Sequence, residues 1–493
     1  MSSGARRSGN GSRPLRFAVV GGGMAGILAA IKLREAGFDD VTVYEKADRL
    51  GGTWRENTYP GVACDVPSHL YSYSFAPNPE WTRTFAGGAE ILTYLEDVAG
   101  RFGVAKLVQY STEIRRMAFE GGCWHLTDAD GRTDVADVVI AATGVLHHPA
   151  YPDIDGLDSF AGSVFHSARW DHTVPLAGAR VGIVGTGSSA VQITSALAGV
   201  AGDLRLFQRT PQWVLPVPNP AIDEDTRTHF RTEPDAMART RAELATMFEE
   251  GFANAVVDRD SPQVRRLQAA CTANLEESVA DPVLREQLRP GYPAACKRLI
   301  ISPDFYQAIQ HPGSKLVTDR IAGVEPAGVR TADGTLHELE VLVLATGFRV
   351  DRFLRPMEVY GRGGVSLDEL WAKRPWAYLA IGVPEFPNLF MLNGPNGPVG
   401  NFSLIDVAEL QFAYVMQLVE RIKDGVRELS PTMAAATGFE EERTEAAKKT
   451  IWVTGCRSWY LDDRGVPAVW PWTFTRFREA MAGPELADYE LVR

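Results

Sequence analysis

Short apolar runs that lead into glycine-rich turns are the first pattern visible along the chain. The run Phe17–Val20 enters a turn at residues 21–26, and an apolar-periodic segment over residues 27–36 follows and ends at Gly37. This order predicts a strand, a tight turn and a helix. A second apolar run at residues 41–44 predicts the next strand of a βαβ unit.

The glycines of this turn fit the pattern GxGxxG at Gly21, Gly23 and Gly26. Such glycines allow the turn, let a pyrophosphate approach backbone N–H groups, and let the helix pack closely on the strand. Glu45 follows the second strand, where this fingerprint places the acid that binds a ribose hydroxyl. We therefore predict a dinucleotide site; the alternative is a glycine-rich turn without a nucleotide.

A second copy of the pattern lies downstream. Residues 180–184 lead into another glycine-rich turn and a helical segment, and residues 204–207 predict the next strand. Ala190 replaces the third glycine, which the fingerprint tolerates. The candidate nucleotide contacts in this turn and at the start of its helix are Gly185, Thr186, Gly187, Ser188 and Ser189.

The second strand of this copy runs into Gln208, Arg209 and Thr210, with no carboxylate. An acid at this position favours a free ribose 2′-hydroxyl, whereas an arginine accommodates a 2′-phosphate. We therefore assign FAD to the first site and NADPH to the second, with Arg209 and Thr210 at the phosphate. A solvated surface role for Arg209 is the alternative.

Two further segments that resemble each other indicate how the domains are arranged. Asp-Gly turns at residues 130–131 and 333–334 each precede a buried strand that ends in Ala-Thr-Gly, at Gly144 and Gly347. In flavoproteins with two dinucleotides, such strands end beside the flavin or mark the crossing between domains. The order is thus an FAD segment, an inserted NADP domain and a return to the FAD domain.

Between residues 223 and 288 the composition shifts to Ala, Glu, Arg and Leu, which predicts a helical insert. The insert either caps the substrate site or serves packing alone. We predict an α/β fold of two Rossmann-like dinucleotide-binding domains with a helical insert. The boundaries are a disordered lead-in over 1–14, an FAD domain over 15–150 and 340–493, an NADP domain over 151–218 and 293–339, and the insert over 219–292.

Composition and charge narrow the class of protein. Hydrophobic residues make up 45% and charged residues 23%, which is typical of a globular protein. The net charge of −12 argues against nucleic-acid binding, which needs clustered Lys and Arg. No apolar run approaches the roughly 18 residues that span a bilayer, and residues 1–13 lack the apolar core of a signal peptide. We expect a cytoplasmic protein.

The cysteines and histidines suggest no cross-link and no metal site. The five cysteines are scattered, odd in number and without a CxxC pair, so we expect reduced thiols. The histidines, including the pair His147 and His148, have no metal-ligand spacing. No metal is predicted.

Two longer patterns resemble the signatures of type I Baeyer–Villiger monooxygenases. Residues 160–171 match FxGxxxHxxxW(P/D) at every fixed position, just before the second glycine-rich turn. Residues 51–65 are similar to (A/G)GxWxxxx(F/Y)P(G/M)xxxD. The resemblance covers nearly the whole chain, and residues 64–75 look most like the branch that contains 4-hydroxyacetophenone monooxygenase.

This resemblance implies that NADPH reduces FAD and that O2 then forms a flavin peroxide, which converts a ketone to an ester or lactone. It places the arginine that stabilises this peroxide in a Lys-Arg pair, here Lys297 and Arg298. A guanidinium keeps its charge and offers a planar fork of donors to an oxyanion. Asp65 would orient Arg298 and contact the nucleotides, and Lys297 would complete the 2′-phosphate site with Arg209.

The resemblance also implies aromatic and hydroxyl contacts to the cofactors. Thr53 and Trp54 would lie against the flavin and Tyr71 near it, while Trp459 would touch NADP and substrate. The alternatives are core packing for the three aromatic residues and a structural ion pair for Arg298.

Two further positions carry separate expectations. His166 is fixed in the signature over residues 160–171, and we favour a structural or hinge role over a general base. Leu299 stands where the best-known family members have proline, which affects the local loop path and substrate preference.

Two other functions remain open at this point. A flavin monooxygenase that oxidises sulfur or nitrogen shares the fold and cofactors, and a flavoprotein that senses redox state would need no turnover. The expected small molecules are a ketone and O2; the natural substrate, the regiochemistry and the oligomeric state are not readable from the sequence.

Overall fold

The structure is a computed structural model that describes residues 14–493. Apart from Pro14, the lead-in predicted over residues 1–14 lies outside the described residues. Within them, no helix is long and apolar enough to cross a membrane.

Strands form where runs of apolar and β-branched residues can be buried on both faces of a sheet. In chain order they are β1 Phe17–Val20, β2 Val41–Tyr44, β3 Val108–Gln109, β4 Ile114–Glu120, β5 Cys123–Asp128, β6 Thr133–Ala136, β7 Val138–Ala141, β8 Ser163–His166, β9 Arg180–Val184, β10 Asp203–Phe207, β11 Val214–Leu215, β12 Ile300–Ile301, β13 Ser314–Val317, β14 Ile321–Glu325, β15 Gly328–Thr331, β16 Leu336–Glu338, β17 Val341–Leu344, β18 Glu358–Tyr360, β19 Leu389–Met391, β20 Glu428–Pro431 and β21 Tyr489–Val492.

Helices begin at the residues that favour helix N-termini. Ser261 and Asp281 each cap a helix through their side chains, and proline follows each of them as the first helical residue. In chain order the helices are α1 Met24–Glu35, α2 Thr53–Glu56, α3 Gly88–Arg101, α4 Ser188–Leu197, α5 Glu224–Thr232, α6 Pro234–Phe248, α7 Pro262–Ser278, α8 Pro282–Gln287, α9 Phe305–Ile309, α10 Leu367–Leu370, α11 Leu404–Lys423, α12 Met433–Ala447 and α13 Phe474–Ala480.

The first glycine-rich turn belongs to a parallel sheet of five strands in the order β19-β7-β1-β2-β3. Gly21 has a φ of +109°, and a Cβ atom there would lie 2.4 Å from the carbonyl oxygen of Ala142. A Cβ atom at Gly26 would lie 1.8 Å from the carbonyl oxygen of Gly21. Only glycine therefore lets helix α1 start so close to strands β1 and β7.

The second glycine-rich turn repeats this arrangement in another five-stranded parallel sheet, in the order β13-β10-β9-β17-β8. Gly185 has a φ of +122°, and a Cβ atom there would lie 2.3 Å from the carbonyl oxygen of Ala345. The predicted α/β fold with two Rossmann-like domains is confirmed.

The chain crosses from the second domain back to the first after strand β17. This strand pairs with both β8 and β9 of the second sheet. The boundary predicted at residue 340 falls just before β17, so on strand pairing Val341–Leu344 belongs with the second sheet. The next strand of the first sheet is β19, which pairs with β7.

The segment predicted as a helical insert contains helices α5 to α8 and a π-helical turn at Glu249–Ala253. Strand β11 before it pairs with strand β12 after it. Arg241 on α6 reaches the first domain, where it donates hydrogen bonds to the carbonyl oxygens of His69, Leu70 and Ser72 and to the Asp406 carboxylate. This arginine anchors the insert beside the loop that carries Tyr71.

Candidate active site

A cavity of about 1360 Å³ extends along both glycine-rich turns. The carboxyl ends of parallel strands in such sheets are where ligands bind. Gly26 is buried beneath the first turn, whereas all other residues predicted for the site line the cavity: Gly21, Gly23, Glu45, Thr53, Trp54, Asp65, Tyr71, Gly185, Thr186, Gly187, Ser188, Ser189, Arg209, Thr210, Lys297, Arg298 and Trp459.

Glu45 lies at the wall of the first nucleotide site. Its carboxylate accepts hydrogen bonds from the backbone N–H groups of Gly22 at 2.8 Å and Ala47 at 2.9 Å, and Arg55 forms an ion pair with it at 3.0 Å. These contacts fix the first glycine-rich turn, a role that the fingerprint alone did not indicate. The carboxylate also borders the cavity, where it can accept a ribose hydroxyl.

Trp54 and Tyr71 form one aromatic wall of the cavity. The indole N–H of Trp54 donates to the Tyr71 hydroxyl at 3.2 Å, and the two rings meet edge to face with centroids 5.7 Å apart. Burial raises the pKa of Tyr71 far above its usual value, so the phenol stays neutral. Flat, neutral rings of this kind suit the apolar face of an isoalloxazine.

The second nucleotide site lies at the start of helix α4, which begins at Ser188 directly after the glycine-rich turn. Its free backbone N–H groups and positive dipole end favour a pyrophosphate there. Ser189 also donates to the Tyr59 hydroxyl at 3.1 Å, and Tyr59 donates to the side-chain carbonyl of Gln192 at 2.8 Å. Tyr59 thereby ties the two domains together at the cavity. It is a fixed position of the signature over residues 51–65, but its partners are not visible in the sequence.

The side chains of Arg209 and Lys297 lie together in the second nucleotide site and line the cavity. Burial and the neighbouring charge of Arg209 lower the pKa of Lys297, and its ammonium lies 4.7 Å from the centroid of the Tyr292 ring. Neither cation has a carboxylate partner among the described residues. The Thr186 hydroxyl donates to the carbonyl oxygen of Thr210 at 2.7 Å, which fixes the loop. A pair of uncompensated cations fits a dianionic 2′-phosphate.

Arg298 and Asp65 form an ion pair in the cavity wall. The Nε and Nη2 atoms of Arg298 donate to one carboxylate oxygen of Asp65 at 3.0 and 2.5 Å. Burial disfavours the charged guanidinium, but the Asp65 carboxylate outweighs it and raises the pKa of Arg298. The phenol of Tyr460, buried against Trp459, interacts with the guanidinium as well. The site thus holds a permanent positive charge whose orientation Asp65 fixes.

The expectation of five reduced thiols is wrong, because Cys296 and Cys456 form a disulfide bond. Cys64 and Cys271 are free and buried. The bonded cysteines are 160 residues apart and belong to different parts of the fold. Neither their spacing nor an odd count of cysteines identifies such a pair.

His166 lies outside the cavity, at the end of strand β8. Its Nδ1 accepts the backbone N–H of Ala168 at 3.1 Å, and the rings of Tyr151 and Phe348 flank it. Burial lowers the pKa of His166 to about 4. These contacts agree with a structural role at the crossing between domains. Among the described residues, no group of three or more His, Cys, Asp or Glu is placed to hold a metal.

Comparisons with known proteins agree with this site. A family model for flavin-binding monooxygenase-like proteins matches residues 15–223. A Baeyer–Villiger monooxygenase of Streptomyces coelicolor is 40% identical over 97% of this chain and 93% of its own length. The chain belongs to the Baeyer–Villiger monooxygenase family. An uncharacterized monooxygenase of Mycobacterium tuberculosis is 46% identical over 97% of this chain and 96% of its own length.

A solved structure supports the same assignment. Cyclohexanone monooxygenase from Rhodococcus sp. Phi1, bound to NADP+, superposes with a TM-score of 0.86 at 29% identity and covers 97% of this chain and 99% of its own. The predictions of a type I Baeyer–Villiger monooxygenase, of an FAD- and NADPH-dependent enzyme and of its fold are confirmed. The individual site residues and the branch remain predictions.

Proposed function

We propose that the protein oxidises a ketone to an ester or lactone at the Arg298–Asp65 pair, with NADPH and O2 as co-substrates. The observation that carries the proposal is this oriented guanidinium in a cavity lined by both glycine-rich turns. When bound, FAD supplies the chemistry that side chains lack, because it accepts hydride from NADPH and activates O2.

In this proposal Arg298 stabilises the negative charge that develops on the carbonyl oxygen of the substrate. Both of its bonds to Asp65 come from the Nε and Nη2 atoms and end on one oxygen, which sets the plane of the guanidinium. A donor held in this way needs no reorganisation when the charge appears, which is the source of its catalytic effect.

The remaining side chains hold the cofactors in register. The start of α4 would bind the NADPH pyrophosphate, and Arg209 and Lys297 would bind its 2′-phosphate. Trp54 and Tyr71 would keep water from one side of the flavin. Tyr59 would hold α4 at a fixed distance from the first domain through Ser189 and Gln192.

The finer assignments belong to the same proposal. Among ketones we favour aryl ketones, because residues 64–75 resemble the branch of 4-hydroxyacetophenone monooxygenase. The partners are small molecules, and the proposed location is the cytoplasm. Oxidation of sulfides in the same cavity is the competing function.

The test is product analysis on the purified, FAD-loaded protein with NADPH. Linear, cyclic, aromatic and steroidal ketones are assayed in parallel with an aryl sulfide of similar size. We expect NADPH oxidation that rises with added ketone and yields esters or lactones. Formation of sulfoxide without ester, or NADPH oxidation that no ketone accelerates, would overturn the proposal.

A further inference from the structure

The disulfide bond joins two segments that both face the cofactor cavity. Cys296 directly precedes Lys297 and Arg298, which line the cavity, and Cys456 directly precedes the lining residues 457–459. We propose that Cys296 and Cys456 are a thiol site oxidised by hydrogen peroxide, and that their bond locks the segment 455–459 over the cavity.

The segment 455–459 has few other attachments. Among the described residues, no hydrogen bond or ion pair joins it to another part of the chain, and the Ser458 hydroxyl is buried without a partner. The chain is fixed on either side of it, since the backbone N–H of Ile451 donates to the carbonyl oxygen of Val256 at 3.0 Å and Arg464 pairs with Glu440 of helix α12 at 2.9 Å. Tyr460, the next residue, interacts with Arg298 and holds the C-terminal end of the segment. Without the disulfide, residues 455–459 themselves are held against the cavity only by packing of side chains such as Trp459.

The disulfide bond connects two walls of the proposed NADPH site. One end of the bond is next to Lys297, which we place at the 2′-phosphate of NADPH, and the other end is three residues before Trp459. The oxidised form therefore keeps both walls of the cavity together. The reduced form frees one wall, so NADP+ should leave more readily.

The redox step uses two thiols and one peroxide molecule. The first thiol ionises, and its thiolate attacks H2O2. The O–O bond breaks, a sulfenic acid and hydroxide form, and the hydroxide takes up the proton that the first thiol released and becomes water. The second thiol then attacks the sulfenic sulfur, the S–S bond forms and a second water leaves. A dithiol reductant returns both thiols by disulfide exchange.

The oxidant and the location both suit such a site. Two electrons from NADPH reduce O2 to H2O2 whenever no substrate takes up the oxygen atom. Both cysteines are buried in an apolar cluster beside the cavity, so a small, uncharged oxidant such as H2O2 that forms in the cavity is the kind that can reach them. Disulfides in the cytoplasm, where we place this protein, are typically transient and redox-sensing rather than structural.

The first experiment counts thiols in the folded holoenzyme. The folded holoenzyme is reduced with dithiothreitol, desalted and treated with H2O2. Because both cysteines are buried, the protein is then unfolded in guanidinium for alkylation, and its peptides are measured by mass spectrometry. We expect both Cys296 and Cys456 to be alkylated after reduction and protected after peroxide. Alkylation of both cysteines in the peroxide-treated protein would overturn the proposal.

The second experiment tests, in the absence of ketone, whether the disulfide bond holds residues 455–459 in place over the cavity. Arg457 is exposed, so trypsin cleavage after it reports the mobility of the segment, and NADP+ affinity reports the cavity. We expect reduction to speed this cleavage and weaken NADP+ binding, each by about fivefold or more. Cys456→Ser should behave like the reduced protein under both conditions.

Cys123→Ser is the matched control, because Cys123 lies in strand β5, outside both five-stranded parallel sheets. This variant should respond to reduction as the parent does. Equal rates of trypsin cleavage and equal affinities for NADP+ in the oxidised and reduced parent would overturn the proposal that the disulfide holds the segment 455–459. So would a redox response that Cys456→Ser retains. Because neither measurement involves ketone turnover, a failure here is distinct from a failure of the proposed oxidation.

Discussion

At the scale of single residues, charge placement determines what the cavity can do. Arg298 is held by Asp65 and keeps its proton at any working pH, whereas Arg209 and Lys297 lie together without an acid. The first arrangement fixes the orientation of one cation in the cavity wall. The second leaves two cations available for an anionic ligand.

Replacing Arg298 tests the first arrangement. Arg298→Ala should stay folded and bind FAD but lose ester formation by a few hundredfold or more, since loss of such a donor costs about 3–4 kcal/mol. Arg298→Lys should recover little, because a point charge does not reproduce a planar fork. The measurement is ester formed per flavin; an alanine variant with the parent rate would contradict the assignment.

Replacing Arg209 tests the second arrangement. Arg209→Ala removes one of two cations from the proposed 2′-phosphate site and should raise the KM for NADPH by about tenfold, as for loss of a charge-assisted hydrogen bond. The KM for NADH, which lacks this phosphate, should change little. Steady-state kinetics with both nucleotides give the result. An unchanged ratio of the KM for NADPH to the KM for NADH would contradict the placement of the 2′-phosphate at Arg209.

Buried histidines make stability depend on pH. Burial lowers the pKa of His69 to about 4, and its ring packs on Phe230 with centroids 4.8 Å apart. In the unfolded chain His69 binds a proton near pH 6.5, whereas in the folded chain it does so only near pH 4. The contribution of the neutral, buried His69 to the free energy of unfolding is therefore complete above pH 6.5 and is lost as pH falls toward 4. The loss is at most about 3 kcal/mol.

The measurement is the urea midpoint between pH 7.5 and 4.5. His69→Gln should flatten the fall in midpoint, and the same change at exposed His172 is the control that should leave it unaltered. A fall in midpoint that His69→Gln does not reduce would show that other groups dominate.

At the scale of elements, the ion pair of Arg241 with Asp406 is one of the contacts that hold the helical insert against the first domain. Burial raises the pKa of Asp406 to about 7, and Arg241 opposes that rise. Arg241→Ala would leave a buried carboxylate and three carbonyl oxygens without their donor, at a cost of about 3–5 kcal/mol. Because these carbonyls flank Tyr71, we also expect weaker FAD binding.

Thermal unfolding and FAD release on dilution test this expectation. The double variant Arg241→Met with Asp406→Leu removes both charges and should recover most of the lost stability, since apolar pairs commonly replace buried ion pairs at little cost. A double variant as unstable as Arg241→Ala would mean that the hydrogen bonds to the carbonyls, rather than the charge pair, hold the insert.

At the scale of the whole molecule, the disulfide closes a long loop within the C-terminal half of the chain. With the cysteines 160 residues apart, the loss of freedom in the unfolded chain contributes roughly 5 kcal/mol to stability. Reduction should therefore lower the melting temperature of the parent but not that of Cys296→Ser. Calorimetry with and without dithiothreitol compares the two, and an equal shift in both proteins would contradict this role.

The sequence by itself determined the two glycine-rich turns, the order of the nucleotide domains and most of the residues around the cavity. These features are readable because a tight turn demands glycine at fixed positions, as at Gly21 and Gly185, and because periodicity follows burial. Family resemblance supplied the rest of the predicted site, through signature positions such as Asp65 and through the Lys-Arg pair that contains Arg298.

Only the tertiary structure decided which distant groups meet. It determined the pairing of strand β17 with the second sheet, the contact of Tyr59 with Ser189, the anchoring of Arg241 and the bond between Cys296 and Cys456. Each joins segments far apart in the chain, where no local periodicity or turn preference records the partner. Such contacts depend on how whole domains pack, and a single sequence carries no direct signal of that packing.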